Sequence, residues 1–438
     1  MNIDEFQKIR STVPSIGTEM FQLMVSLYPI CRSITGDGVR KTLAEIKNHI
    51  DIQIHEVDTN TKVYDWLVPK EWNIRDAYIA DHTGNRVVDF NKSNLHVVSY
   101  SIPVERKISF SELKNHIHTL PNQPDTIPYL TSYYNENWGF CMRHNDFLKL
   151  KEGEYDVVID SMLEFGSLTY GEYFIPGKRS DEILVTCYVC HPSMCNDNLS
   201  GVVLTTMLAK YLSGLSLEYS IRFLFIPETI GAITWLALNE KNVSKIKHGL
   251  VATCLGDPGI STYKKTRDGN AEIDKIAEYV LKNSKEPYQI LDFFPTGSDE
   301  RQFCSPGFNL HVGSLMRTPY GKFRQYHTSD DNLEFVQTQF LANTYSKYLS
   351  IVFVLENNKK YKNLNPKCEP QLGKRGLYRQ IGGQKISKDS ELAMFWMLNL
   401  SDGNHNMVTI AEKSGIEFEI LCDAALKLQE NNLLEIMS

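Results

Sequence analysis

At 438 residues the chain exceeds one ordinary hydrophobic core, and about two to four domains are expected. An apolar fraction of 42% and a charged fraction of 23% are those of a globular protein and exclude a low-complexity chain. A formal charge of −7 argues against a general binder of nucleic acid or anionic membrane, and no run approaches the ~18 apolar residues that span a bilayer.

The polar stretch 1–14 has no apolar signal core, and the nine cysteines, odd in number and scattered, do not look like a disulfide framework. Both features point to a cytoplasmic protein. Residues 17–50 read as two helices. Met20, Leu23, Met24 and Leu27 give the first an apolar face; after Gly36-Asp37-Gly38, Val39, Leu43, Ile46 and Ile50 give the second. Residues 52–57 alternate like a strand. From 61 to 168 short candidate strands (63–68, 76–80, 87–90, 95–100, 155–163) are separated by turns such as Thr83-Gly84-Asn85. This texture predicts a β-rich domain inserted into an α/β domain. Within it, Tyr133, Tyr134 and Trp138 are candidates to line a cleft.

Beyond residue 168 strands alternate with helices: 183–190 then 199–212, 219–227 then 232–240, 250–255 then 271–282, 310–316 then 333–355. The rhythm predicts an α/β fold, a mostly parallel mixed sheet flanked by helices. The expected division is 1–60 and 169–360 for the α/β domain, 61–168 for the insertion, and 361–438 for a C-terminal unit.

In open α/β sheets ligands gather beyond the carboxyl ends of strands. The residues placed there are His191 and Asp197, Glu228, Asp257 and His327. Each alone is an ordinary turn or capping residue. Together on one sheet edge they form a candidate zinc site, since imidazole nitrogen and carboxylate oxygen are normal zinc ligands. Cys187 and Cys190 lie three apart on a strand, so they point to opposite faces and do not chelate one metal.

These residues, with Tyr64-Asp65-Trp66, His191-Pro192-Ser193-Met194 and Asn196-Asp197-Asn198, resemble the zinc exopeptidase family that includes leucyl aminopeptidase, glutamate carboxypeptidase and glutaminyl cyclase. Within it the chain looks like a bacterial aminopeptidase-like subgroup associated with polysaccharide biosynthesis. The resemblance implies that His191 binds a first metal, that Asp197 bridges two metals, and that Asp257 and His327 complete the ligands. It makes Glu228 the general base. The family follows this base with a second Glu that holds the second metal, and Thr229 stands there instead. A hydroxyl is a poor zinc ligand, so one zinc is expected and the second site is doubtful. Ser193 replaces an acidic residue, so the orientation of His191 must come from elsewhere. Tyr326 is a candidate for steadying the oxyanion. Arg301, Arg317 and Arg324, with Lys264, Lys265, Arg267 and Lys322, point to an anionic substrate group or to a solvated loop.

Residues 363–383 read as a connector. Helices at 391–400, 408–413 and 418–429, then a short strand at 433–436, resemble a winged helix-turn-helix. Glu417, Glu419, Asp423 and Glu430 against Lys427 would be repelled by phosphate, so the unit is read as a docking or oligomerisation module; a nucleic-acid regulator is the third reading and would require salt-dependent DNA binding by the isolated C-terminal unit. The leading expectation is a zinc-dependent hydrolase of an amide bond acting on a small-molecule or peptide substrate. An amidase or deacylase on an amino-sugar and a non-catalytic binding protein on the same fold are the alternatives.

Overall fold

The computed structural model describes residues 1–377 and 388–437. The strand Glu182–Tyr188 is buried at every position, which is why its sequence reads as an apolar run and not an alternation. It is the third in chain order of an eight-stranded sheet: β1 (Gln53–Asp58), β2 (Ser167–Ile175), β3 (Glu182–Tyr188), β4 (Ser220–Ile226), β5 (Ile246–Ala252), β6 (Ser261–Lys264), β7 (Tyr288–Leu291) and β8 (Val312–Met316). Their spatial order is β1-β2-β4-β3-β5-β8-β6-β7. The central run β4-β3-β5-β8 is parallel, whereas β1, β2 and β6 join antiparallel neighbours. The fold is therefore mixed α/β, and the carboxyl ends of the parallel strands β3, β4, β5 and β8 lie along one edge.

Helices cover both faces. On one, α1 (Val13–Leu27), α3 (Ser200–Leu212) and α5 (Thr338–Asn357) pack with Val185, Cys187, Phe223 and Phe225 into the main core. On the other, α4 (Ile230–Asn239) packs with Leu184, Tyr188, Leu224 and Ile226. Cys187 belongs to the first cluster and Cys190 to the second. The helix α2 (Asp37–Lys47) lies against β2.

Between β1 and β2 the chain builds a four-stranded antiparallel sheet in the order Arg86–Asp89, Glu71–Ala80, Glu154–Glu164, Val104–Ser109. It has its own core of Ala77, Ile79, Trp138, Phe140, Val157 and Ile159. Two expectations for this region change. The stretch 63–68 is a tight hairpin, Lys62–Val63 pairing Trp66–Leu67. The stretch 95–100 is a 3₁₀ turn, Asn94–His96, followed by single bridges from Val97 and Ser99. Its amides bond loop carbonyls of Gly139 and Leu130, so no ladder forms although the composition suits one.

At the C-terminus, α6 (Lys388–Leu400), α7 (Met407–Ser414) and α8 (Phe418–Glu430) join a three-stranded sheet ordered Asp402–Asn406, Lys360–Asn363, Leu434–Ile436. This is a winged helix-turn-helix. The expected connector thus starts inside a strand and holds a short turn at Gly373–Arg375, and its part from 378 to 383 lies outside the described residues. The wing strand Asp402–Asn406 is polar throughout and gives no alternation to read.

Candidate active site

The loop after β3 is built by buried polar groups. Asp331 accepts the amides of Asn196 at 2.6 Å and Asp197 at 2.9 Å. The Asn196 side chain accepts Gly256 N–H at 2.8 Å, and that of Asn198 donates to Ala252 O at 3.0 Å. Both asparagines thereby tie the loop to the end of β5, and the carboxylate between them is wholly buried. Gly201 then starts α3 so close to Ala252 O and the Asn198 side chain that a Cβ would overlap both. The Asp197–Asn198 peptide is cis.

Three donors converge here. Nitrogen atoms of His191 and His327 and an Asp197 oxygen lie within 4.8 Å of one another. His327 Nε2 is 2.9 Å from Asp197 Oδ2, and His191 Nδ1 is 3.7 Å from Oδ1. The Tyr188 hydroxyl donates to Asp197 Oδ1 and sits 2.6 Å from Thr253 Oγ1. Burial pushes the His191 imidazole down to about 4, so it is neutral and carries a lone pair. Burial opposes ionisation of Asp197, but His191, His327 and Tyr188 outweigh it and hold the carboxyl down at about 2. His191 Nδ1 is buried and has no hydrogen-bond partner, an uncommon state for a polar atom. A neutral imidazole with an unused nitrogen, a second imidazole and an ionised carboxylate fit a zinc ion.

Glu228 follows β4, with Oε2 3.5 Å from His191 Nε2. Burial, then the negative charges of Asp299 and Asp197, raise its carboxyl well above the usual range. The next residue, Thr229, has φ 63°, uncommon for a β-branched side chain. Asp299 accepts its N–H at 2.7 Å, and Arg301 Nη2 donates to its Oγ1 at 2.8 Å. Ser193, Cys254 and His327 also hold positive φ, so four non-glycine residues around one cluster are in strained backbone. Asp299 is pushed up to about 7, chiefly by burial.

The remaining sequence-derived candidates divide. Arg301 is beside Glu228, through Thr229. Tyr326 stacks on His327 at 3.9 Å, and among the described residues its hydroxyl makes no hydrogen bond. Asp257 is not in the cluster: its carboxylate accepts Thr318 N–H and O–H, Gly259 N–H and Asn196 Nδ2, so it braces two loops. Arg317 is buried over Phe340 and donates to Asn343, so α5 takes the charge expected at the substrate. Arg324 is exposed. Lys264 is buried in a 2.6 Å ion pair with Glu300.

Sequence reasoning missed Asp331, Asp299, Tyr188 and Tyr129. Tyr129 comes from the insertion, its ring edge-on to His191 at 5.5 Å and to His327 at 5.3 Å. Its N–H donates to His327 O at 2.8 Å. No spacing rule links it to residues that lie some sixty positions or more away; the pair Asp330-Asp331 close behind His327 was the available signal for Asp331.

A family model described as a domain of unknown function (DUF4910) matches residues 21–358. The chain belongs to the DUF4910 family. A second family model, described as winged helix-turn-helix, matches residues 359–436. A Clostridium acetobutylicum relative named for polysaccharide biosynthesis and an aminopeptidase-like domain is 56% identical over 435 residues, 99% of this chain and 100% of its own. A C. acetobutylicum crystal structure described as a peptidase superposes with TM-score 0.94 at 55% identity, covering 99% of this chain and 100% of that one. A zinc aminopeptidase from Bacillus subtilis gives TM-score 0.58 at 12% identity over 79% of this chain and 95% of that one. An M28 peptidase precursor from Shewanella amazonensis gives 0.55 at 13% over 81% and 98%. This DUF4910 chain therefore has the zinc aminopeptidase fold. Among its described residues no helix is long and apolar enough to cross a membrane.

Proposed function

We propose that this chain is a metal-dependent hydrolase of an amide bond, with one zinc held by His191, Asp197 and His327 and with Glu228 as general base. The observation that carries the reading is the half-buried Glu228 carboxyl 3.5 Å from His191, beside a three-donor group that leaves a zinc coordination position open. A bound zinc supplies Lewis acidity toward a water and toward the scissile carbonyl. Glu228 takes the proton of the attacking water and returns it to the leaving nitrogen as the C–N bond breaks, while the water oxygen stays on the acyl carbon. Its raised affinity for protons suits a group that must both take and give one. Tyr326 supplies a hydroxyl free to donate to the oxyanion.

One metal is favoured over two. Thr229 Oγ1 is occupied by Arg301, whose guanidinium supplies a fixed positive charge beside Glu228, and no second carboxylate stands at that position. Elemental mass spectrometry of protein purified without chelator tests the reading. One zinc per chain, lost in His191→Ala, is expected. Absence of metal even after zinc is supplied would overturn it.

A further inference from the structure

The Tyr64-Asp65-Trp66 turn has no part in this chemistry, yet it is built at a cost. It closes the two-residue hairpin between Lys62–Val63 and Trp66–Leu67. Such turns favour Asn, Asp or Gly, because they need positive φ. Here Tyr64 holds φ 59°, so a bulky aromatic occupies the strained position. Both aromatics are left in solvent, Tyr64 at 43% exposure and Trp66 at 38%. Neither placement serves the core.

The exposed rings lead to the metal-type cluster. Trp66 meets Tyr134, itself 49% exposed, edge-on at 5.5 Å. Tyr134 meets Tyr133 at 6.5 Å. The hydroxyl of Tyr133 lies 3.2 Å from that of Tyr129, and Tyr129 touches His191 and His327. On its other side the hairpin rests on α4, the helix that begins directly after Glu228 and Thr229, with Tyr64 O–H donating to Glu240 at 3.0 Å. The hairpin and the 133–134 segment thus form an aromatic wall continuous with the candidate site.

We propose that this wall stacks on a pyranose ring, so that the substrate of the site carries a saccharide. An apolar peptide side chain would call for a concave, enclosed apolar pocket. What is present is open aromatic faces fringed by the exposed Asp65, by Glu136 paired with Lys70 at 3.1 Å, and by Glu240, which accepts the Tyr64 hydroxyl: a polar rim able to bond hydroxyl groups. Rings with an apolar face and hydroxyls around the edge match both features. The substrate half of this inference rests on the hydrolase reading; the binding half does not.

The test is saccharide binding to chelator-treated full-length protein carrying Glu228→Gln. Tetra-N-acetylchitotetraose and maltotetraose are the probes, and leucinamide is the non-saccharide comparator. Tryptophan emission and saturation-transfer NMR read the contact. Expected are saturation of ring C–H protons, weakening by about tenfold in Trp66→Ala, a smaller loss in Tyr134→Ala, and retention in Trp66→Phe. Unchanged binding in Trp66→Ala, or no saccharide binding at millimolar concentration, would overturn the proposal. Because neither metal nor turnover is needed, saccharide bound at Trp66 in a protein that takes up no zinc would count against the hydrolase reading alone. Hydrolysis of simple aminoacyl amides by a protein indifferent to saccharides would count against the wall alone.

Discussion

Thr229 shows how single residues set this site. A β-branched residue at φ 63° costs on the order of 1–3 kcal/mol, and bonds to Asp299 and Arg301 hold it there. The result is a Glu228 carboxyl fixed beside His191. Glu228→Gln keeps that shape and removes the proton acceptor. Turnover of an aminoacyl amide is expected to fall by about 10²–10⁴-fold with zinc content unchanged; a variant of undiminished activity would remove Glu228 from the mechanism. Asp331 acts at one remove, by accepting the two amides that aim Asp197. Asp331→Ala is expected to weaken zinc affinity by about 10–100-fold, measured by competition with a chromogenic chelator. That His191, Asp197, Glu228 and His327 come together was legible because each lies in the loop beyond the carboxyl end of β3, β4 or β8. Asp257 has the same local context, and only its partners Thr318 and Asn196, distant in sequence, show that its oxygens are engaged elsewhere.

At the scale of elements, the parallel centre of the sheet was readable because β3 and β4 are mostly apolar runs and β5 ends in one at residues 250–252, as suits strands covered on both faces. The strands of the wing and the bridges at 97–99 were not, since polar side chains and loop carbonyls make their pairings. The junction of insertion and α/β sheet is a charge cluster: Arg40 on α2 meets Glu71 at 2.7 Å and Glu56 at 3.0 Å. The Arg40 hydrogen bonds hold the Glu71 carboxyl down at about 2 from 4.5. The folded state therefore favours the ionised form. Between those two values the unfolded chain binds more protons, so this contribution is complete above about pH 4.5 and is lost as pH falls toward 2. With solvent screening it is worth about 1 kcal/mol. Glu71→Gln should be less stable than the parent by that amount in urea unfolding at neutral pH, and the gap should narrow below about pH 4.5. A gap that stays constant with pH would mean the charge of Glu71 is not what holds the junction.

For the whole molecule the question is whether the winged helix is a passenger or part of the body. Its α8 carries Glu419, Asp423 and Glu430 against Lys427, and Lys427 is paired with Asp423 at 2.6 Å. Arg10 of the α/β body takes Glu419 at 2.8 Å. Phe418, 4% exposed, meets Phe353 of α5 at 6.0 Å and Tyr279 at 6.2 Å. The helix that would enter a DNA groove is thus acidic and anchored at its first turn to the α/β body. Its apolar face belongs to the same buried cluster as α1, α3 and α5. A unit that shares a core should unfold with it. Phe418→Ala removes a buried ring at the seam, a loss of about 3–5 kcal/mol. In calorimetry the parent is expected to give one transition, and Phe418→Ala to shift that whole transition downward. Two transitions in the parent, with only the smaller one moved by the substitution, would instead make the winged helix an independently folding passenger.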